Sequence, residues 1–125
     1  MSIFFSELKG YKADLMCLQE VDNKIFDYDL LPVFEKLGYD GVFDRKGGQV
    51  SEGVACFWNM KKFKKLKSSR MVLAESVIND PKFGDFLTAI SQTDALKEQF
   101  VKRTTALQTV VLQSQRYIFT TFFRL

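Results

Sequence analysis

The 125-residue sequence contains no histidine. This absence excludes Ser-His-Asp and Cys-His catalysis, histidine-ligated metals and any reaction that needs an imidazole base near neutral pH. The two cysteines, Cys17 and Cys56, lack Cys-x-x-Cys spacing, so a zinc site built from cysteine and histidine is excluded as well. Because each cysteine lies in an apolar, strand-like run, we interpret both as buried thiols in a reducing compartment.

Long apolar runs are also missing, and the sequence has only two prolines. No run approaches the roughly 20 residues that span a bilayer, and residues 1–5 are too few for the apolar part of a signal peptide. The composition is 46% hydrophobic and 26% charged, with 13 phenylalanines. These values indicate a globular protein with a substantial apolar core, in one domain or part of one.

Charge is distributed unevenly along the chain. Residues 1–43 carry eight acidic and four basic side chains, whereas residues 44–78 carry three acidic and eight basic ones. An acidic start followed by a basic middle is an arrangement that a site for a metal and a phosphate can use.

The spacing of apolar and turn-forming residues predicts a layered domain of helices and strands. The paired glycines of DRKGGQVSEG, residues 44–53, predict a flexible connection between two strands. The predicted elements are a helix over residues 1–9 closed by Gly10, a strand over Asp14–Leu18, a helix over Leu30–Leu37 with Asp29 as its N-cap, strands over Tyr39–Phe43, Val54–Trp58 and Phe63–Lys67, a helical region that opens at Asn79–Pro81, and a hairpin of Thr105–Leu112 with Tyr117–Phe123.

Polar side chains follow the first predicted strand at the point where it ends. The segment ADLMCLQEVD places Gln19, Glu20 and Asp22 there. In open α/β sheets ligands bind beyond the carboxyl ends of strands, and carboxylate oxygens are suitable ligands for Mg²⁺. The alternative is that these residues form an ordinary polar turn after a buried strand.

Three blocks in order along the chain carry a resemblance to a known family. CLQEVD at residues 17–22, SEGVACFW at 51–58 and RTTALQTVVLQS at 103–114 are similar to the endonuclease/exonuclease/phosphatase superfamily, in its deadenylase-like branch. The resemblance implies an α/β fold, a partial four-layer α/β sandwich of the DNase I-like type with an incomplete sheet. It also implies a Mg²⁺-dependent phosphodiesterase or exoribonuclease that acts on the 3' end of poly(A) RNA or on 2',5'-linked oligoadenylate.

The resemblance assigns roles to two of the polar residues. Glu20 corresponds to the glutamate that ligates catalytic Mg²⁺, and Gln19 would orient it through a hydrogen bond. Asp22 is then part of the turn. The member of this branch that the chain most resembles acts in mitochondria, so a mitochondrial location is expected, with the cytoplasm as the alternative because this chain shows no targeting segment.

Other parts of the family pattern are missing. Residues 1–125 are expected to be a partial domain without the first strand and the C-terminal catalytic blocks, and IFTTFFRL at 118–125 has a phenylalanine where the family has a histidine. We therefore expect little hydrolysis from this chain alone. A noncatalytic truncated product that binds RNA weakly or not at all is the alternative, as is a fragment of another phosphodiesterase branch.

A basic run, MKKFKKLKSSR, occupies residues 60–70. Its lysines are candidates for phosphate binding, which would make affinity for RNA fall with salt. The alternative is that Phe63 and Leu66 face the core while the lysines keep an edge strand soluble. Self-association through an exposed sheet edge is a further expectation, and no membrane partner is expected. The candidate lysines are Lys61, Lys62, Lys64 and Lys65.

Overall fold

A computed structural model describes residues 2–115 and 120–122. It contains two three-stranded antiparallel sheets, with strand orders β1-β3-β2 and β4-β5-β6. In chain order the elements are helix α1 (Ser2–Tyr11), β1 (Leu15–Asp22), α2 (Asn23–Ile25), a π-helical turn (Phe26–Leu30), α3 (Leu31–Lys36), β2 (Tyr39–Arg45), β3 (Glu52–Asn59), β4 (Phe63–Val72), α4 (Leu73–Asn79), a 3₁₀ turn (Pro81–Phe83), α5 (Gly84–Ile90), α6 (Asp94–Val101), β5 (Ala106–Ser114) and β6 (Thr120–Phe122).

The first sheet buries one face against the helices that flank it. Because side chains alternate along a strand, Ala55 and Phe57 of β3 point to this face, where Phe57 packs against Phe26 and Phe34. The ring centroids of Phe34 and Phe57 lie 4.8 Å apart. The predicted apolar core of the first half of the chain is therefore present.

The opposite face of the same sheet packs against the second sheet. Cys56 and Trp58 of β3 meet Val110 and Leu112 of β5, and all four are buried. Gln108 of β5 is also buried, and its Nε2 donates a 2.8 Å hydrogen bond to the Asp44 carboxylate of β2. A polar link thus joins the two sheets inside their interface.

Three boundaries near the start of the chain differ from prediction. Helix α1 runs past Gly10 to Tyr11, and the left-handed residue after it is Lys12, with φ +47°. Strand β1 continues to Asp22, so Gln19 and Glu20 lie within the strand rather than beyond it. The helical segment begins directly afterwards, so the N-cap is Asp22 and not Asp29.

The helical insertion also begins earlier than predicted. Helix α4 precedes Asp80, which caps the following 3₁₀ turn through a 3.0 Å bond from the Lys82 amide. Phe86 packs edge-to-face on Phe100, yet remains 47% exposed, so these phenylalanines are only partly core. Leu66 is 54% exposed and lies at the bulge between Lys65 and Lys67, so it does not face the core together with Phe63.

The closing hairpin is present as far as the structure describes it. β5 pairs antiparallel with β6, with Leu112 opposite Thr121. The remainder of the predicted second strand lies outside the described residues. Among those that are described, no helix is long and apolar enough to cross a membrane.

Candidate active site

A β-bulge in β1 shapes the surroundings of Gln19 and Glu20. Leu18 pairs with Ala55 and Val21 with Gly53, so two residues of β1 lie opposite the single residue Val54. In a regular strand successive side chains point to opposite faces. The extra residue changes the direction in which the side chains at the bulge point, and as a result Gln19 and Glu20 line the same cavity.

Glu20 has a left-handed backbone conformation, with φ +54°. For a residue with a Cβ atom this conformation costs about 1–2 kcal/mol, and glycine would adopt it freely. Lys12 has a similar φ, but it lies just after α1, where helices commonly end on such a residue. No helix end explains Glu20, and strain of this kind is frequent at functional sites.

The cavity lies at the end of the two sheets and has a volume of about 210 Å³. β1, the loop after β2, the start of β3 and the start of β5 all contribute to it. Because these strands are antiparallel, the site lies at the carboxyl end of β1 but at the amino ends of β3 and β5. Its lining residues are Gln19, Glu20, Lys46, Val54, Thr104, Thr105 and Ala106.

Lys46 supplies the positive charge of this cavity. Its Nζ lies 3.3 Å from the Glu52 carboxylate, and its amide donates a 2.9 Å bond to the Glu52 carbonyl. Arg70 of β4 donates a 3.2 Å bond to the Lys46 carbonyl. The lysine is thus held by both its backbone and its side chain.

The paired glycines after Lys46 form an anchored turn rather than the predicted flexible connection. The Gly47 amide donates a 2.7 Å hydrogen bond to the Thr104 carbonyl, which ties the loop to the start of β5. Gly48 has φ +66°, a conformation that favours glycine. A Cβ atom on Gly47 would lie 2.8 Å from the Val72 side chain, so the loop needs glycine at both positions.

The charged side chains around the cavity differ in how they are engaged. Within residues 2–115, no hydrogen bond or ion pair engages the Gln19 or Glu20 side chain, so the predicted bond between them is not seen and Gln19's role remains a prediction. Asp22 instead caps α2 and accepts a 2.8 Å bond from the Ser51 hydroxyl. This bond and that from the Lys24 amide lower the pKa of Asp22.

A magnesium ion is compatible with this donor set only as a partial site. Mg²⁺ commonly takes one or two protein carboxylates and completes its shell with water and substrate oxygens. Glu20 offers a hard oxygen ligand that faces a cavity and is otherwise unengaged. Over the described part of the chain no cluster of three or more acidic, cysteine or histidine residues forms a metal cage.

The four candidate phosphate lysines do not share this cavity. Lys62 forms an ion pair with Asp14 at 2.6 Å, and Asp14 immediately precedes β1. Asp14 and Glu20 are six positions apart along the extended chain, which is roughly 20 Å. Lys64 and Lys65 line a separate hollow with Asp40 and Trp58, and the ammonium of Lys65 lies 5.8 Å from the Trp58 ring centroid.

Sequence reasoning missed Lys46, Thr104 and Thr105. The sequence did contain local signals for these residues, since Lys46 directly precedes the paired glycines and the two threonines directly precede β5. Each element on its own is an ordinary polar turn, however. Only the packing of β5 beside β3 places these residues next to Glu20.

Comparison with known proteins bears on the family and the fold of the chain. No family model matches the chain. The mouse protein 2',5'-phosphodiesterase 12 is 38% identical over 108 residues, which cover 86% of this chain and 17% of the mouse protein. The chain belongs to the endonuclease/exonuclease/phosphatase superfamily. The family resemblance of the three sequence blocks is thereby confirmed.

Solved structures from this superfamily share the fold. The crystal structure of ANGEL2, described as a 2',3'-cyclic phosphatase, has a TM-score of 0.65 at 22% identity and matches 90% of this chain and 27% of its own. The human Nocturnin catalytic domain has a TM-score of 0.63 and matches 95% of this chain and 38% of its own. The predicted DNase I-like α/β class is confirmed. The chain spans about a sixth of the curated relatives' length.

Proposed function

We propose that this chain forms part of a Mg²⁺-dependent phosphodiesterase that shortens the 3' end of poly(A) RNA or degrades 2',5'-linked oligoadenylate. The observation that carries the proposal is the bulged, left-handed Glu20, which faces a cavity containing Lys46. A carboxylate that can hold a metal and a cation that can neutralise a phosphate favour phosphodiester hydrolysis when they lie near one another.

The residues that line the cavity would have separate roles in binding the metal and the phosphate. Glu20 would hold Mg²⁺, and the ion would polarise the phosphoryl group and lower the pKa of an attacking water. Lys46 would neutralise a nonbridging phosphate oxygen, with its position maintained by Glu52 and Arg70. The hydroxyls of Thr104 and Thr105 offer hydrogen bonds to the same phosphate or to a ribose.

The relatives favour an adenosine-containing substrate with a reactive ribose. The mouse relative is named for 2',5'-phosphodiesterase activity, and the ANGEL2 structure contains adenosine-2',3'-vanadate. A relative from Arabidopsis, carbon catabolite repressor protein 4 homolog 1, is 38% identical over 68 residues. We therefore propose oligoadenylate, linked either 3',5' or 2',5', as the substrate class. A mitochondrial location remains a prediction that fractionation would test.

The 125 residues by themselves are proposed to be inactive or nearly so. The sequence has no histidine, and one metal ligand cannot position both a water and a phosphate for in-line attack. A noncatalytic product with weak RNA binding is the second candidate, favoured by the same observation. The two candidates differ in whether this segment can serve catalysis when the rest of a domain is supplied.

A chimera tests that difference. In the mouse relative, the 108 aligned residues are replaced by the matching residues of this chain. We expect the folded chimera to hydrolyse oligoadenylate in Mg²⁺, and expect Glu20→Gln to reduce the rate at least about 100-fold, because the metal loses its protein ligand.

Asp14→Asn in the same chimera is the matched control and should leave the rate within about threefold, because Asp14 pairs with Lys62 far from the cavity. A folded chimera without activity would favour the noncatalytic candidate. A chimera that keeps its rate with Glu20→Gln would remove Glu20 from the metal site. Circular dichroism and thermal melts establish that each protein is folded.

A further inference from the structure

Cys17 and Cys56 lie directly opposite each other on neighbouring strands. Cys17 of β1 is the register partner of Cys56 of β3. Both side chains point to the face that packs against the second sheet, where Cys56 is 1% exposed and Cys17 is half-buried. The sequence predicts two buried thiols, but Cys17 is only partly buried, and no local pattern indicates that the two cysteines meet.

The hydrogen-bond pattern places this pair at a non-hydrogen-bonded position. The Asn59 amide donates a 2.8 Å bond to the Asp14 carbonyl, and antiparallel pairs alternate between bonded and non-bonded types. Counting along the ladder, the Met16–Phe57 pair is bonded and the Cys17–Cys56 pair is not. Cα atoms of a non-bonded pair lie about 4.5 Å apart, which falls within the range of disulfides.

We propose that Cys17 and Cys56 are a redox modification site, at which a peroxide converts the two thiols into a disulfide between β1 and β3. The Cys17 thiolate attacks one oxygen of hydrogen peroxide, the O–O bond breaks, and Cys17 becomes a sulfenic acid while hydroxide leaves. The Cys56 sulfur then attacks the Cys17 sulfur, and its proton leaves with the sulfenic oxygen as water.

The surroundings favour Cys17 as the sulfur that reacts first. The Cys56 thiol hydrogen-bonds to the Cys17 sulfur, and this bond lowers the pKa of Cys17 to about 7, against the opposing effect of burial. Cys56 is the more enclosed of the two, and its pKa is raised. A partly exposed thiolate with a second thiol beside it is the arrangement typical of oxidant-sensitive cysteines.

Mass spectrometry of the full 125-residue chain tests the site. After treatment with stoichiometric hydrogen peroxide and blocking with N-ethylmaleimide, we expect a mass decrease of about 2 Da, the loss of two hydrogens, and no maleimide adduct. Trypsin should yield one linked pair of peptides, residues 13–24 and 47–61, which dithiothreitol separates. Because only two cysteines are present, any intramolecular disulfide joins these two residues.

Two comparisons distinguish a positioned pair from chance oxidation. The native chain should form the disulfide at least about tenfold faster than the same chain in urea, since the folded strands hold the sulfurs together. In Cys56→Ser, whose hydroxyl can still donate to the Cys17 sulfur, dimedone should trap a sulfenic acid at Cys17, whereas Cys17→Ser should yield little dimedone adduct.

The proposal fails if the native chain keeps two maleimide-reactive thiols after peroxide, if the disulfide links separate molecules, or if unfolding accelerates its formation. It also fails if dimedone labels Cys56 in Cys17→Ser as readily as Cys17 in Cys56→Ser. These readouts do not depend on hydrolytic activity, so the result is independent of the proposed function.

Discussion

The two ends of β1 each carry a carboxylate, but the surroundings of the two groups differ. At the start, Asp14 accepts hydrogen bonds from Lys62 at 2.6 Å and from Asn59 at 3.1 Å. At the other end, Glu20 lies on a strained bulge and faces a cavity. A satisfied carboxylate stabilises the fold, whereas an unengaged one in a cavity remains free to bind a ligand.

The lysines are also distributed unevenly between the two ends of β1, and most of them lie at the Asp14 end. The end at Asp14 has the candidate lysines Lys61, Lys62, Lys64 and Lys65, while the end at Glu20 has Lys46. The more basic end is therefore not the end with the proposed chemistry. A lysine-rich run indicates charge, and it does not by itself indicate where a phosphate is cleaved.

The largest effect is expected for metal binding. Mn²⁺, used as a paramagnetic substitute for Mg²⁺, should broaden amide signals at Gln19–Val21 in the 125-residue chain, and excess Mg²⁺ should reverse this. Glu20→Gln should weaken the effect at least about tenfold, because Gln lacks the charge that attracts the ion. Asp14→Asn should leave it unchanged. If the broadening is centred on Asp14 instead, Asp14 and not Glu20 is the carboxylate that binds the metal.

The second-largest effect is a change in the free energy of unfolding, which has opposite signs for substitutions at the two ends of β1. Glu20→Gly should raise the free energy of unfolding by about 1 kcal/mol, because glycine adopts the left-handed conformation without strain. Asp14→Asn should lower it by less than about 1 kcal/mol, since its ion pair is largely exposed to water. Urea denaturation measures both. Destabilisation by Glu20→Gly would show that the bulge is not strained.

A smaller effect is expected for the lysines at the Asp14 end. Lys64→Gln should weaken binding of a fluorescent single-stranded oligoadenylate about threefold at low salt and reduce the salt slope by about 0.7. Lys62→Gln should have less effect, because Lys62 already pairs with Asp14. Fluorescence anisotropy over a salt series separates the two. If the two substitutions have equal effects on binding, or none, the role of the lysines is to keep an edge strand soluble.

The smallest effect is a pH dependence at Asp14. The hydrogen bond from Lys62, and then that from Asn59, lowers the pKa of the Asp14 carboxyl. Its stabilisation is therefore present above the unfolded pKa of about 3.9 and is lost as pH falls through the lower folded value. NMR titration should show Lys62→Met raising the pKa of Asp14 towards its ordinary value, whereas Lys61→Met should not.

Much of the fold followed from local patterns. Strands β2, β3 and β5 were predicted because apolar spacing and turn residues act over short distances. The N-cap at Asp22 was missed because α2, the π-helical turn and α3 form one helical segment, and the apolar spacing that predicts a helix is confined to Leu30–Leu37. The bulge was missed because it depends on pairing with β3.

For this protein, the sequence by itself determined the superfamily, the α/β class and the identity of Glu20 as the candidate metal ligand. The tertiary structure alone decided that Glu20 has a left-handed backbone, that Lys46 shares its cavity, that the lysine run lies at the far end of β1, and that the two cysteines meet. The physical reason is strand register. Register depends on contacts between residues far apart in the chain, and a local pattern of residue types does not contain it.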